Sequence, residues 1–479
     1  MTSAEAGPPD EFIEILSGLL TSVDTRLDDG GSRAAERIVL DTLAVSLGAL
    51  GHPAARVAQR YAALHPAAEG ASVWGTGLRA TPEIATLVNG VPLRGYDYND
   101  LYIGAATGGH PSDVVPGLIA IAEVTGSSGP ELLVSIALAY EVILELFDTV
   151  PMKLGGWDYV NLTAVGATCA LARLMKLDAT ETRAALSITM SSHMASNEVE
   201  SSELNSRGDL TMWKRFNGSH AVRQAVFACT LAQCGAEGIV RPFAGKLGFI
   251  GRLNVDADQV LASLERSLGE PRRLGRVGET TFKRWPVGSR AQCAIKAALE
   301  ASAKVERRHE VRQLTVHVDP DAYHHLVAVR QDPWRPTTRE TADHSLPYIV
   351  AAAFLDGTLG VNSFDPTRVV DPAITRFLAN KMQVHATEFE VGGAKGGFPC
   401  RIEIETDDGE LVIIEVLSPP GHPRNRFNDD DFEEKFMSNV GPILGDERAA
   451  SLVDAVWRLH GEADVRRLTE RLLAPPPTV

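Results

Sequence analysis

The chain has 479 residues, more than one ordinary hydrophobic core accounts for, so two domains are expected. Its 44% hydrophobic and 23% charged residues fit a soluble globular protein, and a net charge of −16 speaks against a nucleic-acid surface. No apolar run approaches the ~20 residues of a membrane span. The acidic start MTSAEAGPPDEF lacks a basic-then-apolar leader, so a cytoplasmic protein with no membrane contact is expected.

Residues 1–9 are small, polar and proline-containing, and are expected to be disordered. From Glu11 the apolar positions recur at helical spacing, first in EFIEILSGLL and then in RAAERIVLDTLAVSLGAL. Gly51-His52-Pro53 ends that helix, which makes His52 a helix-end residue. Another helix covers about 54–64, and ATPEIATLVNGVPL delivers the chain into the stretch RGYDYNDLYIGAATGGHPSD at 94–113. Beyond Pro111, Val114–Val124, Glu131–Phe147, Leu162–Met175 and Thr180–His193 read as Ala-rich helices of a closely packed bundle.

The pattern shifts after about Leu268. VRQLTVHVD at 311–319 alternates with a period of two, and RIEIETDDGELVIIEV at 401–416 reads as a hairpin around Asp-Asp-Gly. Helices are expected at about 289–304, 343–356 and 371–382. The fold class is therefore mainly α with an α+β domain: an all-helical domain over 10–268, an α+β domain over 269–428, and helices at 429–475 returning to the first. PPP at 475–477 is a tail.

Cys169, Cys229, Cys234, Cys293 and Cys400 are scattered with no CxxC pair, which argues against zinc, a disulfide framework or an iron–sulfur cluster. In HVDPDAYHHL, the adjacent His324 and His325 point apart and no third ligand has suitable spacing, so a strand-end loop is expected there. Asp429, Asp430 and Asp431 fit a helix N-terminus. No metal and no cofactor are expected.

The 94–113 stretch joins two helical segments, where polar loops carry function. His110 suits proton transfer near neutral pH, with Asp97 or Asp100 as its carboxylate companion. The same residues also fit a plain connection in which Ser112 or Asp113 caps the next helix and His110 fills a gap.

DYND followed by HPSD resembles the signature loop of the MmgE/PrpD family of 2-methylcitrate dehydratases, cis-aconitate decarboxylases and iminodisuccinate epimerases. LTMWKRFNGSHA at 210–221, FKRWP at 282–286 and ETADHSLPYIVAAAFLDG at 340–357 fit the same family in the same order. The resemblance implies a helical bundle with a smaller α+β domain, a homodimer, and an active site in the cleft between the domains. It also implies carbon-acid chemistry on a small polycarboxylate partner. Dehydration of such an acid needs a base for the proton beside a carboxylate, an acid for the departing hydroxyl, and cations for the carboxylates.

The resemblance assigns catalytic roles to His110, Asp97, Lys214 and Tyr348. Lys283, Asn99, Asp100, Arg284, Tyr159 and His344 are substrate-binding candidates. On the residues alone, Lys214 also fits a solvated helix lysine, with Gly218 leaving a gap for a ligand. Lys283 and Arg284 also fit a basic loop on Trp285. Tyr348 lies four residues from His344, so one helix would place both on one side. Two positions depart from the family pattern: Leu101 stands where a threonine usually follows Asp100, and Tyr159 follows Asp158 where a histidine is common. The expectation is a metal-independent hydro-lyase of the 2-methylcitrate dehydratase kind. Epimerisation, decarboxylation and an inactive family member are the alternatives.

Overall fold

A computed structural model describes residues 9–473 apart from 23–25, 201–203, 207, 254, 269–272 and 391–395, with no side-chain description at 153 and 154. The tail at 475–477 and residues 1–8 lie outside the described residues.

Capping residues punctuate the helices where the apolar periodicity begins. Asp28 accepts from Gly31 N at the head of Asp29–Gly48, and Ser128 and Glu131 form a reciprocal capping box at the head of Gly129–Thr149. Asp178 with Glu181 does the same for Ala179–Ser192. Pro53 and Pro82 each sit in the first turn of a helix, where the missing N–H costs nothing. His52 caps Pro53–Ala62 by accepting from Ala54 N at 3.1 Å.

Two large hydrophobic clusters organise the described residues. The first joins Phe12, Leu43, Leu118, Phe147, Leu171 and Val226 with Phe432, Phe436 and Leu468. Helix Asp429–Leu444 lies against Asp29–Gly48, opened by Asn428, which accepts from Asp431 N. Asp429 at its start pairs with Arg33 and Arg37.

The second cluster runs from Val287 to Ile414 around a four-stranded sheet. Its order is Met382–Ala386, Gln313–Val318, Cys400–Glu405, Leu411–Val416; the first pair is parallel and the others antiparallel. Leu314, Val316, Val318, Cys400, Ile402 and Ile404 point inward at a period of two, and helix Gln292–Lys304 packs over them.

Two local expectations are corrected, and one strand is added. The helix expected at about 371–382 is present as Pro372–Lys381, but the parallel edge strand that Met382 opens directly after it is unmarked in the sequence pattern. The segment after Val318 is helical, not a loop: Asp319 caps Pro320–Tyr323, and His324–Ala328 continues as a π-helical turn. Within 94–113, Tyr102–Ile103 and Gly108–Gly109 pair as a small hairpin.

Candidate active site

Several segments meet around the 94–113 stretch, and its backbone is fixed by buried ties. Asp97 adopts φ +49, a left-handed conformation costly for a residue with a Cβ. The fully buried Lys283 holds it there, its Nζ lying 2.6 Å from the Asp97 carbonyl oxygen and 2.9 Å from Oδ1. Lys435 donates to the next carbonyl, Tyr98 O, at 3.1 Å, and Tyr98 donates its hydroxyl to Arg284 O at 2.6 Å. Leu101 and Thr281 exchange backbone hydrogen bonds of 2.8 Å.

These ties line one side of a cavity of about 710 Å³ whose wall includes Asp97, His110, Tyr159, Lys214, Lys283 and His344. His110 Nδ1 lies 2.5 Å from the Asp100 carbonyl oxygen, so that nitrogen carries the proton and donates, and Nε2 is the one left for the cavity. Burial, then Arg94 and Lys283, hold its pKa well below the ordinary histidine value, so the ring is neutral at neutral pH. Burial pushes the Asp97 carboxyl upward, but Lys283 outweighs it and the carboxylate stays ionised. Burial lowers the Lys283 pKa against the pull of Asp97.

Lys214 leaves the first turn of Trp213–Gln233 and pairs with Glu200 at 2.8 Å. Gly218 on the same helix admits no ligand; a Cβ there would stand 2.3 Å from Asp113 Oδ2, so the glycine makes room for a buried carboxylate. Tyr159 donates to that carboxylate at 3.2 Å, and its ring packs on Gly109, where a Cβ would lie 2.2 Å from Tyr159 Cδ2. Burial raises Asp113 to about 6 and Asp158 to about 7. Asp113 therefore does not cap the following helix; Ser112 does not either, since it receives Asn99 Nδ2 at 3.0 Å.

Four candidates lie away from the cavity. Asp100 is buried behind the loop, accepting from Tyr140 Oη at 2.8 Å and Ser112 N at 3.1 Å. Asn99 is equally buried, tied to Ser112. Arg284 turns away to Glu434 at 2.6 Å, because its neighbour Lys283 takes the inward direction. Tyr348 sits in the second core and donates to Ser363 O at 2.6 Å. The helix starts only at Leu346, capped by Ser345, so His344 precedes it and the two side chains part company. His344 lines the cavity, its Nδ1 2.5 Å from Asp343 Oδ1.

The cavity also holds residues that no motif singled out. Arg94 is buried, with Nη1 lacking any partner. Glu200 has its pKa brought to about 2, the loss of solvent at the cavity wall working upward and the Lys214 ammonium at 2.8 Å outweighing it. Arg290, Asp321, His325 and Arg330 come from the α+β side. Asp321 and His325 belong to the HVDPDAYHHL stretch, which its helical turns present to the cavity. Among the described residues no group of three side chains has metal-ligand placement.

Residues 25–262 match the MmgE/PrpD N-terminal domain, and residues 285–459 match the MmgE/PrpD C-terminal domain. The chain belongs to the MmgE/PrpD family. Among its relatives, the cis-aconitate decarboxylase of Homo sapiens is 25% identical over 473 residues, covering 94% of this chain and 92% of the relative. The 2-methylcitrate dehydratase of Cupriavidus necator is 24% identical over 474 residues, covering 91% of each. That of Escherichia coli K12 is 24% identical over 423 residues, covering 82% of each. These MmgE/PrpD relatives are decarboxylases and dehydratases. Both departures from the MmgE/PrpD pattern, Leu101 and Tyr159, face the cavity, so they change its lining and not merely its support. No single described helix is long and apolar enough to cross a membrane.

Proposed function

We propose that the chain is a lyase that dehydrates a small hydroxy-polycarboxylic acid. The observation that carries this reading is His110. Its Nδ1 is committed to the Asp100 carbonyl, and burial beside Arg94 and Lys283 keeps the ring neutral, so Nε2 presents a free lone pair at neutral pH.

In this reading His110 Nε2 removes the proton from the carbon beside a carboxylate. The electron pair forms the double bond as the C–O bond breaks. Lys283 gives the departing oxygen a proton and releases water; its ammonium has two hydrogens on Asp97 and a pKa lowered by burial. Solvent then returns the proton from His110 to Lys283. Asp97, ionised and held by Lys283, orients that ammonium, while Arg94 and Arg330 hold carboxylates and the charge that develops on them.

Proton NMR in D₂O over 2-methylcitrate, citrate, cis-aconitate, iminodisuccinate and the hydroxy-dicarboxylate 2-butylmalate tests the reading. An alkene signal from a hydroxy acid supports it. Itaconate-like signals with loss of carbon dioxide establish decarboxylation, and deuterium entry without net change establishes epimerisation; either result overturns dehydration. His110→Asn abolishes deuterium exchange into an accepted substrate, and exchange at the native rate removes His110 as the base.

A further inference from the structure

We propose that the acid taken by this cavity carries two carboxylates and an aliphatic chain, with the carboxylates facing Arg94 and Arg330 and the chain lying along Leu101, Ile103, Leu326 and Phe398. The inference rests on the lyase reading and narrows its substrate class.

The first argument is charge. Five cations line the cavity, Arg94, Lys214, Lys283, Arg290 and Arg330, against three carboxylates, Asp97, Glu200 and Asp321. The three carboxylates are already matched: Lys283 with Asp97 at 2.9 Å, Lys214 with Glu200 at 2.8 Å and Arg290 with Asp321 at 2.6 Å. Arg94 and Arg330 have no carboxylate partner among the described residues. Arg94 is almost wholly buried yet lines the cavity, and no ion pair offsets its charge, so a carboxylate at this wall meets an unmatched cation. Arg330 is half-buried, and its Nε donates to His325 O at 2.7 Å, which fixes the side chain and leaves its terminal nitrogens for a ligand. Guanidinium groups suit carboxylates because two N–H bonds match two oxygens. Two unmatched cations balance a dianion, whereas a third carboxylate would meet only cations that already hold a partner.

The second argument is shape. Leu101 and Ile103 stand two residues apart on an extended segment and both face the cavity. Tyr102 between them turns the other way, its hydroxyl donating to Asp148 at 2.9 Å. Leu326 and Phe398 belong to the core of the α+β side, and Ile103 packs against that same cluster. An apolar strip thus continues across the cleft, beside cations that need anions, and Leu101 extends it where a hydroxyl would have been polar. An alkyl chain fits this strip and a third carboxylate does not.

Isothermal titration of the intact protein with 2-butylsuccinate, succinate and tricarballylate tests both parts without requiring turnover. Each methylene withdrawn from water is worth about fourfold in affinity, so 2-butylsuccinate is expected to bind at least about tenfold tighter than either other probe. Arg330→Gln, with an unchanged melting temperature as its folding control, weakens both dicarboxylates about tenfold. Leu101→Thr weakens 2-butylsuccinate by a similar factor and leaves succinate within about twofold. Tricarballylate binding tighter than succinate overturns the dianion, and equal affinity for succinate and 2-butylsuccinate overturns the chain. Absence of binding by all three probes overturns both. The lyase reading fails separately, through the NMR panel, even where this order of affinities holds.

Discussion

Lys435 and Asp41 form a buried ion pair that joins two distant helices to the signature loop, and breaking it should be costly in a specific way. Lys435 Nζ lies 2.6 Å from Asp41 Oδ1 and 3.1 Å from Tyr98 O, and it sits 4.0 Å above the Tyr98 ring. Burial pushes the Asp41 carboxyl up to about 6 and the Lys435 ammonium down, so each charge depends on the other being present. Removing one member of a buried pair costs roughly 3–5 kcal/mol, and replacing both by apolar side chains of similar size is often neutral. At roughly 2–4 °C per kcal/mol for a unit of this size, Lys435→Met or Asp41→Leu alone lowers the melting temperature by roughly 6–20 °C. The double variant recovers most of that loss. Activity behaves differently, because the double variant still lacks the hydrogen bond to Tyr98 O, one residue from the left-handed Asp97. We expect thermal unfolding to show strong coupling between the two substitutions, with kcat/KM low in both Lys435→Met and the double variant. Additive stability losses refute the ion-pair argument, and native kcat/KM in the double variant refutes the positioning role of Lys435.

Three further outcomes are expected. Gly109→Ala drives a Cβ to 2.2 Å from Tyr159 Cδ2, which costs about 1–3 kcal/mol of overpacking and lowers activity; Tyr159→Leu in the same chain restores stability, and a native urea midpoint in the single variant contradicts the close approach. Asp158 is wholly buried with its folded pKa raised to about 7, so its stabilising contribution is full below its unfolded pKa and is lost as pH rises through 7. The stability difference between the native chain and Asp158→Asn should therefore shift by about 2–3 kcal/mol in favour of the variant between pH 5 and 8, and a difference constant with pH in urea titrations rules this out. Tyr348→Phe removes only the hydrogen bond to Ser363 O, so about 1 kcal/mol of stability is lost and steady-state kinetics stay native; a large fall in kcat would return Tyr348 to the cavity.

Much of the fold is legible because its signals are local. Helix starts carry Ser128, Asp178 and Asn428 beside the turns they cap, and the Asp407-Asp408-Gly409 turn sits between two alternating runs that pair in register. The edge strand at Met382–Ala386 is not legible in this way. It follows a helix without a break, and its only partner among the described residues, Gln313–Val318, lies far back in the chain and runs parallel. The site divides along the same line. The motif residues His110, Lys214 and Lys283 share a cavity, yet neighbours within the same motifs face opposite ways. Asp97 and Asp100 are three residues apart on a loop whose left-handed turn at Asp97 sends one carboxylate to Lys283 and the other to Tyr140. Arg94, which opens the 94–113 stretch, and Arg330, outside every motif, come from opposite sides of the cleft, so only folding shows that they share it.

A chain with 62 acidic and 46 basic residues nevertheless lines one cavity with more cations than carboxylates. The arrangement reconciles the two facts through pairing. Lys214, Lys283 and Arg290 are each held by a carboxylate, which fixes their positions before any ligand arrives and lowers the cost of burying them. Only Arg94 and Arg330 remain unmatched by a carboxylate among the described residues. The surplus that an anionic substrate meets is therefore two charges, set deep in the cleft, while the acidic exterior contributes nothing to holding it. Long-range attraction is then weak and short-range fit decides, which places specificity on the few side chains around those two arginines, Leu101 and Ile103 foremost.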